Sequence, residues 1–268
     1  MIIRFLTQND IIEHDKVSSQ AFSIPCDIFD KSSVLPTANV LGAFDDDNKT
    51  LFADLEIIER KCNFDGCILS CAAIGGVAAK PEHRGKGAVK ELFRYITESD
   101  KYDVSILYPF AEEYYRKIGF ERVSNSFSAS VPFEELSKIR RNNDVTMYEG
   151  KNDGKLLEIY NKCAARYNLS FVRDDYSAFC DKPYLSKKYT YIWKNNSFAT
   201  ITVDREKGVL NVEEIYYDSC ESMLGIIGFL RNFEGNQSTV CFCKIPQNSS
   251  ILNFVSDLKH HDRDRRRD

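Results

Sequence analysis

No apolar run in this 268-residue chain approaches the ~20 residues that a membrane-spanning helix needs. The first residues, Met1–Leu6, lack the basic start and small-residue cleavage site of a secretory leader. Together these absences predict a cytoplasmic protein with no membrane partner. Excess charge of one sign is missing too: 36 basic residues face 40 acidic ones, a formal net charge of −4. No broad basic run occurs before the polar tail at 259–268, which argues against a nucleic-acid partner. The nine cysteines are an odd number, and Cys67/Cys71 and Cys241/Cys243 lack the paired two-residue gaps of zinc ribbons. Reduced thiols and no metal are expected. The acidic triplet Asp45–Asp47 reads as turn chemistry, since such side chains bond their own backbone. Two phosphate-binding patterns are also missing. Gly87 is followed by Ala88 where a P-loop has Lys, and Gly85-Lys86-Gly87 leads to Lys90 where a dinucleotide loop has Gly.

The chain does have enough apolar residues for a core, 43%, and the length of two domains. Hydrophobic periods predict a strand at 1–6 and a helix at 8–22, with Ile11, Ile12, Val17 and Phe22 inward. Residues 23–37 read as a loop or short helices, a candidate lid. Strands follow at 40–44, 51–59 and 67–80, the last with Gly75 and Gly76 in its middle, where a bulge or a close backbone approach is expected. A helix at 87–98, a strand at 103–107, a short helix at 110–118 and extended chain at 120–131 complete the first half. The polar stretch 132–153 predicts a boundary. Beyond it come a helix (156–167), three strands (189–193, 198–204, 209–217), a helix (221–233), a strand (239–245) and a helix (249–258). The order of the first half is repeated without detectable identity.

The focus is Gly76–Leu92, where an apolar strand stops at Pro81, a basic turn follows, and a helix begins. The first amides of a helix have no intrahelical acceptor and carry positive potential, so they suit a phosphate. Arg84 and Lys86 are cations at a helix start, where the dipole opposes them unless an anion is bound. Taken alone, the same turn could be a solvated helix start.

His83-Arg84-Gly85-Lys86-Gly87-Ala88-Val89 resembles motif A of the GNAT acyl-CoA N-acyltransferases, in the form used by the Eis (enhanced intracellular survival) branch. About 30 residues on, Tyr115-Arg116-Lys117-Ile118-Gly119-Phe120 is similar to the family's Tyr-x-x-x-Gly-Phe segment. The resemblance implies an α/β GNAT fold over 1–140, a mixed, mostly antiparallel sheet flanked by helices. A degenerate GNAT-like domain over 141–258 would follow. The sterol-carrier-like third domain of Eis has no counterpart in this sequence. Acetyl-CoA is the implied cosubstrate, with the acetyl group passing by direct attack to an amine of a small molecule or peptide. Val77 and Ala79 would hold the pantetheine, and Arg84, Gly85, Lys86, Gly87 and Ala88 the pyrophosphate. Tyr115 would be the general acid, since a phenol with an ordinary pKa of ~10 can protonate a thiolate. Tyr114 is the competing choice.

Phe22, Asp27 and Glu56 are the candidate substrate residues. The general base is left among Glu56, His83, Asp27 and a water relay. Val89, where the family pattern has Gly or Ala, fits a non-catalytic acyl-CoA-binding or regulatory module as the alternative, and a homo-oligomer is left open.

Overall fold

The structure is a computed structural model that describes residues 1–25, 39–124, 126–150, 154–179, 182–246, 248–254 and 258–260. Most of the candidate lid, with Asp27 in it, and the tail beyond His260 lie outside the described residues. The chain divides into two compact units, Met1–Glu121 and Arg122–Asp268.

In the first unit the strands β1 (Ile2–Phe5), β2 (Val40–Phe44), β3 (Leu51–Phe64), β4 (Cys67–Ala79) and β5 (Val104–Leu107) form one sheet in that order. All neighbours are antiparallel except β4 and β5. Three helices accompany them: α1 (Ile11–Phe22), α2 (Ala88–Glu98) and α3 (Glu112–Arg116). The β3–β4 hairpin is longer than the sequence suggests. It turns at Asp65-Gly66, both with positive φ (47° and 80°), the two-residue turn whose twist suits antiparallel strands.

α2 forms because its apolar residues recur every three to four positions. Ala88, Leu92, Phe93 and Ile96 are buried against Leu55, Ile57 and Ala72 of the sheet. Leu92, Phe93 and Ile96 each contribute about 1.5–3 kcal/mol by leaving water. α1 is built differently. Val17 is its one buried residue, while Ile12 and Phe22 are 44% and 48% exposed, contrary to the inward placement expected of them. The face turned to the sheet carries Glu13, His14, Val17 and Ala21, because its polar members find partners there: Lys80 for Glu13 and Asp54 for His14.

The second unit holds β6 (Ser126–Pro132), β7 (Val145–Tyr148), α4 (Lys155–Ala164), α5 (Pro183–Ser186), β8 (Tyr189–Trp193), β9 (Ser197–Asp204), β10 (Val209–Tyr217), α6 (Cys220–Leu230), β11 (Thr239–Pro246) and β12 (Leu258–His260). The run β7-β8-β9-β10-β11 repeats the order of the first sheet, again with only its last pair parallel. Side-chain alternation feeds two cores. Ile192 and Phe198 pack with α4, and Trp193 and Ala199 with α6.

Two expectations are corrected here. Of the extended chain expected at 120–131 as part of the first half, the strand is Ser126–Pro132, β6 of the second sheet, bonded to β11 and β12. The helix expected at 249–258 is a 3₁₀ turn, Ser250–Phe254, and Leu258–His260 pairs with β6 instead.

Candidate active site

β4 is irregular where its two glycines stand. Asp54 pairs with Ala78 and Glu56 with Gly75, so Leu55 alone faces Gly76 and Val77. This is a bulge on β4, and Gly76 takes the φ of +57° that it demands. Pairing with β5 ends at Ile74–Leu107. Among the described residues, no strand lies beside that edge of β4 from Gly75 onward. The Lys80 amide donates to the Phe52 carbonyl at 3.0 Å, which puts Ala78 in the same hydrogen-bonding phase toward β3. Val77 and Ala79 therefore turn their backbone groups to the open edge. Their side chains pack against the α2 core.

The chain then makes a short 3₁₀ turn, Pro81–His83, and passes through Arg84, Gly85 and Lys86 to Gly87, the N-cap of α2. Gly85 and Gly87 have φ of 78° and 81°, and a Cβ at either would meet nothing within 4 Å. No side chain caps α2, so its first amides have no side-chain acceptor. Arg84 is exposed and no described residue pairs with it. Lys86 is anchored: its Nζ lies 3.0 Å from His83 Nδ1 and 5.1 Å from the centre of the Phe52 ring. His83 stacks on Phe52 at 4.2 Å. That anchoring gives His83 a place in the turn rather than at the acyl group. Val89 points into the core beside α2's other apolar residues, so its bulk is turned away from the helix start. Ala88, buried at 4%, offers its amide from the first turn.

Tyr115 is 4% exposed and sits in an aromatic cluster, with ring centres 6.1 Å from Phe93, 5.4 Å from Phe110 and 6.1 Å from Phe120. Burial, helped by neighbouring Tyr114, pushes its phenol up to about 12, so it stays protonated at neutral pH. The Tyr114 ring is perpendicular to it and 38% exposed, the outward neighbour of an inward residue.

Glu56 lies beside the bulge, its Oε2 3.7 Å from where a Cβ on Gly75 would be, and no described residue pairs with it. Phe22 is an exposed residue at the end of α1. Sequence reasoning missed two residues nearby. One is Asp54, fully buried on β3, whose Oδ2 lies 2.8 Å from Nδ1 of the other, His14 on α1. Burial raises the Asp54 pKa against the pull of His14 and Lys80. The available signal was a carboxylate at the centre of the apolar strand Leu51–Ile58. Among the described residues, no group of three metal-ligating side chains comes together, and no helix is long and apolar enough to span a membrane.

A parallel strand pair whose pairing ends at a bulge thus leads into an uncapped, basic helix start. The family follows from sequence: residues 3–123 match the model of the acetyltransferase (GNAT) domain, and the first unit belongs to that family. Domains of this family transfer an acyl group from acetyl-CoA. No curated relative matches the chain in sequence.

Among solved structures, a GCN5-related N-acetyltransferase from Anabaena variabilis is similar with a TM-score of 0.77 at 18% identity, over 97% of this chain and 70% of that one. A GCN5-related N-acetyltransferase from Kribbella flavida gives 0.76 at 17%, over 96% and 67%. Eis1 from Mycobacterium abscessus gives 0.74 at 15%, over 98% and 71%. At these identities the likeness is one of fold, and it extends across both units.

Proposed function

We propose that this chain is an acetyl-CoA-dependent N-acetyltransferase that acts on a primary amine of a small molecule or peptide. The observation that carries this reading is the open edge of β4 beyond Ile74, which leads directly into the uncapped start of α2. The residues fit the cosubstrate in charge and space. Arg84, Lys86 and the amides of Gly85, Gly87 and Ala88 receive the pyrophosphate. The backbone of Val77 and Ala79 bonds the pantetheine and polarises the thioester carbonyl. Acetyl-CoA supplies the activated acyl group. Tyr115, kept protonated by burial, gives its proton as charge develops on the departing sulfur. Glu56 is placed to attract the cationic acceptor. Catalysis belongs to the first unit, Met1–Glu121, and the second, Arg122–Asp268, is its degenerate companion.

The test is thiol release from acetyl-CoA over a panel of aminoglycosides, polyamines and lysine peptides. Turnover with at least one amine is expected. CoA binding without turnover across the panel would instead identify a non-catalytic acyl-CoA-binding module.

A further inference from the structure

The proton that an acceptor ammonium must lose has no assigned destination. His83 is tied up in the phosphate turn, and Tyr115 is an acid. The α2 face of the sheet is filled by the apolar core around Leu55, Ile57 and Leu92. The opposite face, over the bulge, carries α1, Asp54 and Glu56, so a polar acceptor has one side from which to approach. On that side stands a hydrogen-bonded pair. His14 Nδ1 lies 2.8 Å from Asp54 Oδ2. Asp54 pairs in register with Ala78, next to the bulge at Gly76–Val77.

We infer that His14, oriented by Asp54, is the general base that takes the proton from the acceptor ammonium; this rests on the acetyl-transfer reading above.

Three observations carry it. First, Asp54 Oδ2 lies 2.8 Å from His14 Nδ1. Burial raises the Asp54 pKa against the hydrogen bond and charge of His14 and the charge of Lys80. With Asp54 ionised, Nδ1–H is the donor and Nε2 keeps its lone pair. No described residue bonds Nε2, and the side chain is 14% exposed. Second, Asp54 is fully buried with its Oδ1 unpartnered. Burying a half-satisfied carboxylate is costly, and a pin that merely fastened α1 to the sheet could be apolar at no such cost. Third, the charges around His14 favour an imidazole that can accept a proton. Asp15 and Glu13 lie on its own helix and Asp54 and Glu56 on β3, opposed by Lys16 and by Lys80 after β4. Lys16 and Lys80 are both paired to Glu13, at 2.7 and 2.5 Å. The Asp54 hydrogen bond, reinforced by the charges of Asp54, Asp15 and Glu56, raises the His14 pKa above its ordinary 6.5.

The step balances. One N–H proton passes to His14 Nε2 and on to solvent. The amine lone pair forms the C–N bond, the C–S bond breaks, and the amine loses its second proton to solvent. The thiolate takes a proton from Tyr115, which regains one from solvent.

The experiment measures thiol release at saturating acetyl-CoA from pH 6 to 9 with two acceptors: spermidine, an ammonium at neutral pH, and hydroxylamine, already neutral there. The His14→Gln substitution keeps a hydrogen bond to Asp54 but cannot act as a base. It is expected to slow spermidine acetylation about 100-fold while leaving hydroxylamine nearly untouched. The Asp54→Asn substitution removes the charge that raises His14, so the acid limb of the rate profile should move to lower pH.

Equal loss with both acceptors, or a wild-type rate and acid limb in His14→Gln, overturns the inference while acetyl transfer stands. If His14→Gln no longer binds acetyl-CoA by calorimetry, its loss reflects folding, and an unmoved acid limb in Asp54→Asn overturns the inference. Wild-type release with hydroxylamine alone also overturns it. Release with neither acceptor overturns the inference, and release with no amine of the panel above overturns the acetyl-transfer reading as well.

Discussion

α2 and α6 occupy the same step of a repeated scheme, between the fourth strand of a meander and that strand's parallel partner, yet they begin in opposite ways. α2 starts at Gly87 with no side-chain cap and with Arg84 and Lys86 just before it. α6 starts at Ser219, whose Oγ accepts from the Ser222 amide at 3.1 Å, while the Ser222 Oγ accepts from the Ser219 amide at 2.9 Å. One helix leaves its first amides without a side-chain acceptor; the other caps its start with a reciprocal pair of serines. Their bodies differ accordingly. α2 is amphipathic with a charged outer face. α6 is apolar nearly all round, and its Gly225 lets the Trp193 ring come within 2.4 Å of where a Cβ would stand. The same architecture carries an uncapped, basic helix start in one unit and a capped, apolar helix in the other, and the difference lies in a few residues at the helix start.

The comparison can be broken in several places. The largest effect is expected at Tyr115, which has no counterpart role in the second unit. Tyr115→Phe should lower turnover about 100-fold with little change in CoA affinity, and an unchanged rate removes it from the mechanism. Next comes Arg84→Ala, which should weaken CoA binding tenfold to a hundredfold in calorimetry by loss of a charge-assisted phosphate contact. Gly225→Ala should destabilise the second unit by about 1–3 kcal/mol in denaturant unfolding, because the Trp193 ring must move. The mirror of the Arg84 test is Ser219→Ala: about 1 kcal/mol of stability lost with its cap and CoA affinity unaltered.

The smallest effect concerns Asp10, gripped by Arg4 through two 2.8 Å bonds. Hydrogen bonding to Arg4, against burial and with help from Thr7, holds its carboxyl at about 2, below its ordinary 3.8. Its folded-state pKa is depressed, so its contribution is complete above pH 3.8 and is lost as pH falls from there toward 2. Solvent screening limits Asp10→Asn to about 1 kcal/mol or less at neutral pH, and a melting curve that differs from the wild type equally at pH 2 and pH 7 would contradict this.

What was legible in the sequence was local. Gly75-Gly76 inside a strand announces a bulge because few other residues take positive φ. The period of Leu92, Phe93 and Ile96 announces a helix, and the polar turn at Asp65-Gly66 a hairpin. What was not legible depends on partners far along the chain. His14 and Asp54 are 40 residues apart, and nothing near either one marks the other. α1 was misread for the same reason: apolarity alone turns Ile12 and Phe22 inward, but the Asp54 and Lys80 partners turn Glu13 and His14 inward instead. β6 reads as an extended segment in any context, and only its register with β11, more than 100 residues later, assigns it to the second sheet.

A calorimetric titration of CoA into the wild-type chain tests the α2 start most directly. The expected result is one CoA per chain, with affinity weakened by Arg84→Ala and untouched by Ser219→Ala. Two sites per chain, no binding, or a site sensitive to Ser219 instead of Arg84 would contradict it.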